Sequence, residues 1–181
     1  MYTDASLSRD WVKRTHTAAL TATVCAALAL PTRARAVGVD CTPVHAAVTF
    51  QSRKPFHALI SSTPTRQGSI PATTTQAIWV GGTLYTQMAD RWLPSPMPPE
   101  NALSGVTGGV THFSDCRRLA DDAIHGEATT VYAAKMESGQ AVQLWISTKT
   151  GLLLRDVVDQ DIMKVTVDFD YANVQAPPVS R

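Results

Sequence analysis

Four histidines beyond the N-terminal segment, His45, His57, His112 and His125, are the side chains whose ordinary titration range suits proton transfer near neutral pH. His112 lies three residues before Asp115, and His125 closely follows Asp121 and Asp122. A general base or a metal site needs such groups to converge in space. The chain has no His-x-x-x-His or His-Glu-x-x-His pair, no Gly-x-Ser-x-Gly elbow and no phosphate-binding glycine loop. Surface histidines and turn-capping aspartates are therefore the expected reading. No catalytic residue is assigned, and a small hydrolase using His112 or His125 stands third among the functions considered. Asp156, Asp159 and Asp161 are too sparse in oxygen ligands for calcium, so neither a metal nor a cofactor is expected.

The cysteines carry the next chemistry. Cys25 falls in a segment with the layout of a secretory signal. Arg9, Lys13 and Arg14 make its positive start, Ala18 to Leu30 its short apolar stretch, and Ala34-Arg35-Ala36 its small-residue cleavage site. The apolar stretch is well short of the roughly 20 residues that span a bilayer. Cleavage after Ala36 leaves Cys41 and Cys116, an even pair in an exported chain, and a disulfide between them is the simplest expectation. Neither cysteine has a Cys-x-x-Cys neighbour or a histidine at ligand spacing. Of 16 basic and 15 acidic residues, five basic and two acidic leave with residues 1–36. The remaining 11 and 13 give a net charge of −2, with no electrostatic footprint for nucleic acid or an anionic membrane. Residues 37–175 are expected to form a single domain and 176–181 a frayed tail.

Elements that would position these groups follow from periodicity. Thr42-Pro43 reads as an N-cap with proline in the first turn, opening a helix over 44–51 that Arg53-Lys54-Pro55 ends. Phe56 to Ser62 reads as a strand with Phe56, Ala58 and Ile60 on one face. Residues 63–74 read as a loop. In 75–88, Gly81-Gly82 permits a tight hairpin that pairs Val80 with Thr83, Trp79 with Leu84 and Ile78 with Tyr85, with apolar groups on both faces. Residues 91–109, rich in proline and then glycine, read as a long loop anchored by Trp92 and Leu93. Strands over 128–136, 140–147, 152–158 and 162–169, joined by short turns, make an antiparallel meander with one solvated face. The fold class is α+β or mainly β: a curved antiparallel sheet, an unclosed half-barrel, with a short N-terminal helix.

One stretch carries a family likeness. Leu144-Trp145-Ile146-Ser147, then Lys149-Thr150-Gly151, then Leu152-Leu153-Leu154-Arg155, resembles the Leu-Trp-Ile-Asp-x-Lys-Thr-Gly-Leu-Pro-x-Arg segment of periplasmic LolA/LolB-like lipoprotein-carrier proteins. Phe169-Asp170-Tyr171-x-Asn173-Val174 is similar to the closing pattern of that fold, and His125-Gly126-Glu127 to the entry of its preceding strand. The likeness spans about residues 112–175. It implies an unclosed, strongly curved barrel holding an apolar cavity, with helices as plug or lid, and the carriage of lipid or lipoprotein acyl chains.

The expectation is thus an exported, periplasmic or secreted, non-enzymatic protein that holds an apolar ligand or lipid on the concave face of its sheet. Trp79, Tyr85, Trp92, Tyr132 and Trp145 are the aromatic candidates to line the site, with Arg155 at its rim. Their competing reading is ordinary core or solvated strand. Trp145 is the most informative, because its strand already presents Val142, Leu144 and Ile146 to the other face. The alternative function is an envelope protein-interaction module, docking a partner or a second copy of itself through a sheet face or edge.

Overall fold

The computed structural model describes residues 40–66, 71–107 and 112–178, all within one unit spanning 35–181. The expected signal peptide of residues 1–36 lies outside the described residues, as do 179–181 of the expected tail. Helix α1 (Thr42–Gln51) precedes strands β1 (Phe56–Pro64), β2 (Thr73–Val80), β3 (Thr83–Met88) and β4 (Arg91–Pro96). Two single-turn helices follow, α2 (Pro99–Ala102) and α3 (Ser104–Thr107). The chain then runs through β5 (Phe113–Arg118), β6 (Asp122–Ile124), β7 (Glu127–Met136), β8 (Ala141–Ser147), β9 (Leu153–Asp159) and β10 (Met163–Asp170). These strands form one antiparallel sheet in the order β4-β3-β2-β1-β10-β9-β8-β7-β5, with β6 beside β7.

The meander β7 to β10 and the β2–β3 hairpin follow the sequence-based expectation, including the pairs Val80–Thr83, Trp79–Leu84 and Ile78–Tyr85. Gly81 and Gly82, at φ of 59° and 77°, supply the left-handed turn that L side chains resist. That hairpin is covered on one side only among the described residues. Trp79 and Leu84 are buried, while Ile78 and Tyr85 are half-exposed.

Three expectations change. Residues 91–96 form a strand, although Pro94 and Pro96 stand opposite Tyr85 and Thr83. β4 is the last strand of the sheet, so its missing N–H groups cost no central ladder bond. Leu93 stays exposed and Trp92 half-exposed. The segment is instead fastened by Trp79 Nε1, which donates to the Met97 carbonyl at 3.1 Å, and by buried Ala102 and Leu103. The expected loop over 63–74 is shorter, since β1 runs to Pro64 and β2 starts at Thr73. Finally, Cys41 rather than Thr42 occupies the helix cap, and the Thr42 N–H and hydroxyl both donate to Asp40.

One face of the sheet carries the core. Val44, Ala47 and Val48 recur at helical spacing and pack α1 onto β5, β8 and β9. Phe56 is fully buried, stacked on Trp79 and edge-on to Phe169 at centroid distances of 6.2 and 5.6 Å. Full burial of each such side chain stabilises the fold by about 1.5–3 kcal/mol. Alternation along β1 and β10 sends Phe56, Ala58, Val167 and Phe169 to this helix-covered face.

The Cys41–Cys116 disulfide forms as expected, with Cα atoms 5.2 Å apart, and ties the start of α1 to β5 across 75 residues of chain. A closed loop of that length stabilises by roughly 4 kcal/mol on chain-entropy grounds. Cys41→Ser is expected to lower Tm by well over ten degrees, and added reductant should lower wild-type Tm similarly. Thermal melts check both, and an unchanged Tm would remove the bridge from the stability account.

Candidate functional site

The face away from the helices is read off by register. Val131, Trp145, Arg155, Asp168, Leu59 and Gln76 stand in one cross-strand row over β7, β8, β9, β10, β1 and β2. Trp145 Nε1 donates to Asp122 Oδ2 at 3.0 Å, two strands away, so its indole lies across β7 and Val131 beneath is nearly fully buried. The sequence left open what covers Trp145. Its polar tip is taken by the short strand β6, an element that periodicity did not reveal. That bond holds the Asp122 carboxyl below the ordinary aspartate range, with the Ala123 N–H adding to it.

A groove of about 650 Å³ opens on this same face. Its apolar floor is Leu59, Ile124, Leu152 and Leu154, and its polar margin is His57, His125, Glu127, Asp168 and Asp170. A β-bulge builds the floor. Trp145 pairs with Arg155 but the next residue, Ile146, pairs with Leu153, leaving Leu154 unpaired. The leucine run is thereby divided. Leu153 joins the helix-side core, while Leu152 and Leu154 line the groove. Ile124 is set by a two-residue turn, His125 at φ 50° and Gly126 at 83°. His57 Nε2 donates to Gln76 Oε1 at 2.7 Å, which fixes the ring. Ser147 anchors the far wall by donating to Glu127 and accepting from the Lys149 and Thr150 N–H groups.

The six candidate ligand residues divide between the faces. Trp79 is buried in the helix-side core, with Tyr132 packed against it. Tyr85, Trp92, Trp145 and Arg155 occupy the opposite face, and none of the six lines the groove. Arg155 meets it indirectly, through a 2.5 Å ion pair from Nε to the lining Asp168. Sequence reading missed His57, Leu59, Ile124 and Leu152 as site residues. Leu59 and Leu154 are ordinary strand residues until β1 is known to pair with β10 and the bulge is known to turn Leu154. His112 and His125 have no hydrogen bond to a carboxylate or hydroxyl, and no three potential metal ligands converge, among the described residues.

Beneath α1 the sheet face is filled. The void between Val48, Leu103, Phe113, Met136, Leu144 and Asp156 is about 10 Å³, near the size of one water. An apolar-ligand cavity was expected on the concave, sparsely covered side. Among the described residues the space beneath α1 holds no such volume, and a larger cavity lies on the other face. Asp156 is nonetheless anomalous. Its carboxyl is fully buried, Oδ1 has no hydrogen-bond partner, and the Gln51 amide is likewise buried without one. Burial, with a contribution from nearby Asp168, pushes the Asp156 carboxyl up to about 7. Tyr171, whose hydroxyl donates to the Leu153 carbonyl, is raised by burial and then by Asp156.

No family model matches the chain, and no curated relative matches it. Among solved structures it is similar to the Mycobacterium tuberculosis lipoprotein LppX, at 12% identity over 76% of this chain and 99% of that one, with a TM-score of 0.49. It is also similar to LprF from Mycobacterium bovis, at 16% identity over 75% and 94%, TM-score 0.43. A LolA superfamily protein from Nitrosomonas europaea follows at 10% identity over 77% and 96%, TM-score 0.29. At these values nothing about function follows from the likeness.

Asp156 yields a pH signature. In the unfolded chain it titrates near 3.8, and in the fold near 7, so between these values the unfolded state binds fewer protons. Its contribution to stability is therefore full below pH 4, falls as pH rises to 7, and is flat above. Asp156→Asn is expected to gain on wild type across that window, by up to about 4 kcal/mol at 1.36 kcal/mol per unit. Denaturant melts from pH 4 to 8 check it, and a constant difference would show that Asp156 does not titrate there.

Proposed function

We propose that this is an exported, non-enzymatic binding protein that holds an apolar ligand, such as a lipid acyl chain, in the groove between β1, β6, β9 and β10. The carrying observation is the groove itself: about 650 Å³, floored by four aliphatic side chains and open on the face the helices leave bare. That volume falls in the range of small-molecule sites. Leu152 and Leu154 line it, and both belong to the stretch whose wording resembles the lipoprotein-carrier segment, which supports a lipid-like ligand.

Export to the periplasm, or secretion, is part of the same reading. The signal-like character of residues 1–36 and the bonded cysteine pair support it. Among the described residues no helix is long and apolar enough to cross a membrane.

A second reading is favoured by a separate observation. The row His57–Ile78–Tyr85–Pro94, with the pairs Leu59–Gln76 and Gln87–Trp92 beside it, extends the groove face across β1 to β4, with Leu59 exposed and Ile78, Tyr85 and Trp92 half-exposed. An apolar shoulder of this kind suits a docked envelope protein.

Native mass spectrometry of protein purified from an envelope fraction tests both. An added mass of lipid size is expected, and Leu59→Glu, a substitution at an exposed position, should reduce its occupancy at least roughly tenfold while leaving Tm within a few degrees. Bare monomer that stays bare with added lipid and with dodecanol would sink the first reading. A co-purifying polypeptide would favour the second.

A further inference from the structure

The polar margin of the groove points to the head of its ligand, an inference that rests on the apolar-ligand reading above. Glu127, Asp168 and Asp170 line the groove, and no lysine or arginine does. Each carboxyl group is held through one oxygen. Glu127 Oε1 accepts from the Ser147 hydroxyl, Asp168 Oδ1 from Arg155 Nε, and Asp170 Oδ1 from the Ala172 N–H at 2.8 Å. The second oxygen of each has no hydrogen-bond partner among the described residues. The three are thus oriented in advance and still able to accept. Arg155 offsets only Asp168, and the His57 Nε2 proton is already given to Gln76.

A fatty acid or a phosphate-headed lipid lying on this floor would bring its anion against three carboxyl groups with no lysine or arginine in the lining to meet it. A bound metal ion does not answer the charge either, because these groups do not converge to a three-ligand cluster. They stand beside the apolar floor of Leu59, Ile124, Leu152 and Leu154.

We propose that the groove selects a cationic amphiphile: an alkyl chain on Leu59, Ile124, Leu152 and Leu154, and an ammonium head among Glu127, Asp168 and Asp170. Opposite charges a few ångströms apart near a surface attract and are screened by salt, so the preference should be readable and salt-sensitive.

Calorimetric titration of the purified protein with dodecylamine, dodecanol and dodecanoate, all below their micellar concentrations, tests this. Dodecylamine is expected to bind at least roughly tenfold more tightly than dodecanoate, with dodecanol between, and the gap should shrink as salt is raised to about 0.5 M. Asp170→Asn, which keeps an acceptor for the Ala172 N–H, should narrow the gap severalfold by weakening dodecylamine. If all three bind alike, the head-group inference fails and the apolar-ligand reading stands. If none binds, both fail. A short peptide alternating leucine and lysine that outcompetes dodecylamine would overturn the small-molecule assignment in favour of a basic peptide.

Discussion

The pairing of β1 with β10, from His57 opposite Asp170 to Pro64 opposite Met163, is the constraint on which the rest depends. It joins the N-terminal strands to the C-terminal meander across about a hundred residues of chain. Its register decides which side chains meet on each face. Phe56, Ala58, Val167 and Phe169 fall together under the helices, and His57, Leu59, Asp168 and Asp170 fall together in the groove. Because side chains alternate with period two, a slip of one residue would exchange the two sets and dismantle core and groove at once. The T-shaped contact of Phe56 with Phe169 stands at this seam and opposes such a slip.

The meander was legible because each of its strands alternates cleanly, and the Gly81-Gly82 hairpin because two adjacent glycines allow so few alternatives. Val142, Leu144 and Ile146 lie on the buried face and Trp145 on the other, as alternation requires. The strand Arg91–Pro96 was hidden by its prolines, whose exclusion from sheets holds only for interior positions. The three residues of β6 are too few to show any period. The groove was hidden for a different reason. It is made by residues from β1, β6, β9 and β10, and only their long-range pairing and one bulge bring them together. The aromatic side chains drew attention as ligand contacts because they are large. Their size fits them equally to fill a core, which is where Trp79 and Tyr132 went.

The helix-covered side illustrates how unevenly the fold is held. α1 presents three small or medium apolar residues to the sheet, and its last residue, Gln51, enters the core with neither amide atom bonded. Asp156 lies under the same cover with an unbonded oxygen. Each unpartnered polar group costs about 1–3 kcal/mol. The covalent tie from Cys41 to Cys116 offsets that loss at the other end of the helix. Hydrophobic contact and an oxidised cysteine pair keep α1 in place, and the second depends on the redox chemistry of the surroundings.

Both margins of the open sheet are poor templates for another chain. On one side, Pro94 and Pro96 remove hydrogen-bond donors from β4. On the other, β5 breaks register between Ser114 and Arg117, where Asp115 takes a φ of 53° and its carboxyl pairs with Lys135. Sheets left unclosed are otherwise prone to lengthen by strand addition from molecule to molecule. Here prolines on one margin and a break in register on the other disfavour strand addition, which leaves side chains on the wide face of the unclosed sheet as the surface better suited to recognition.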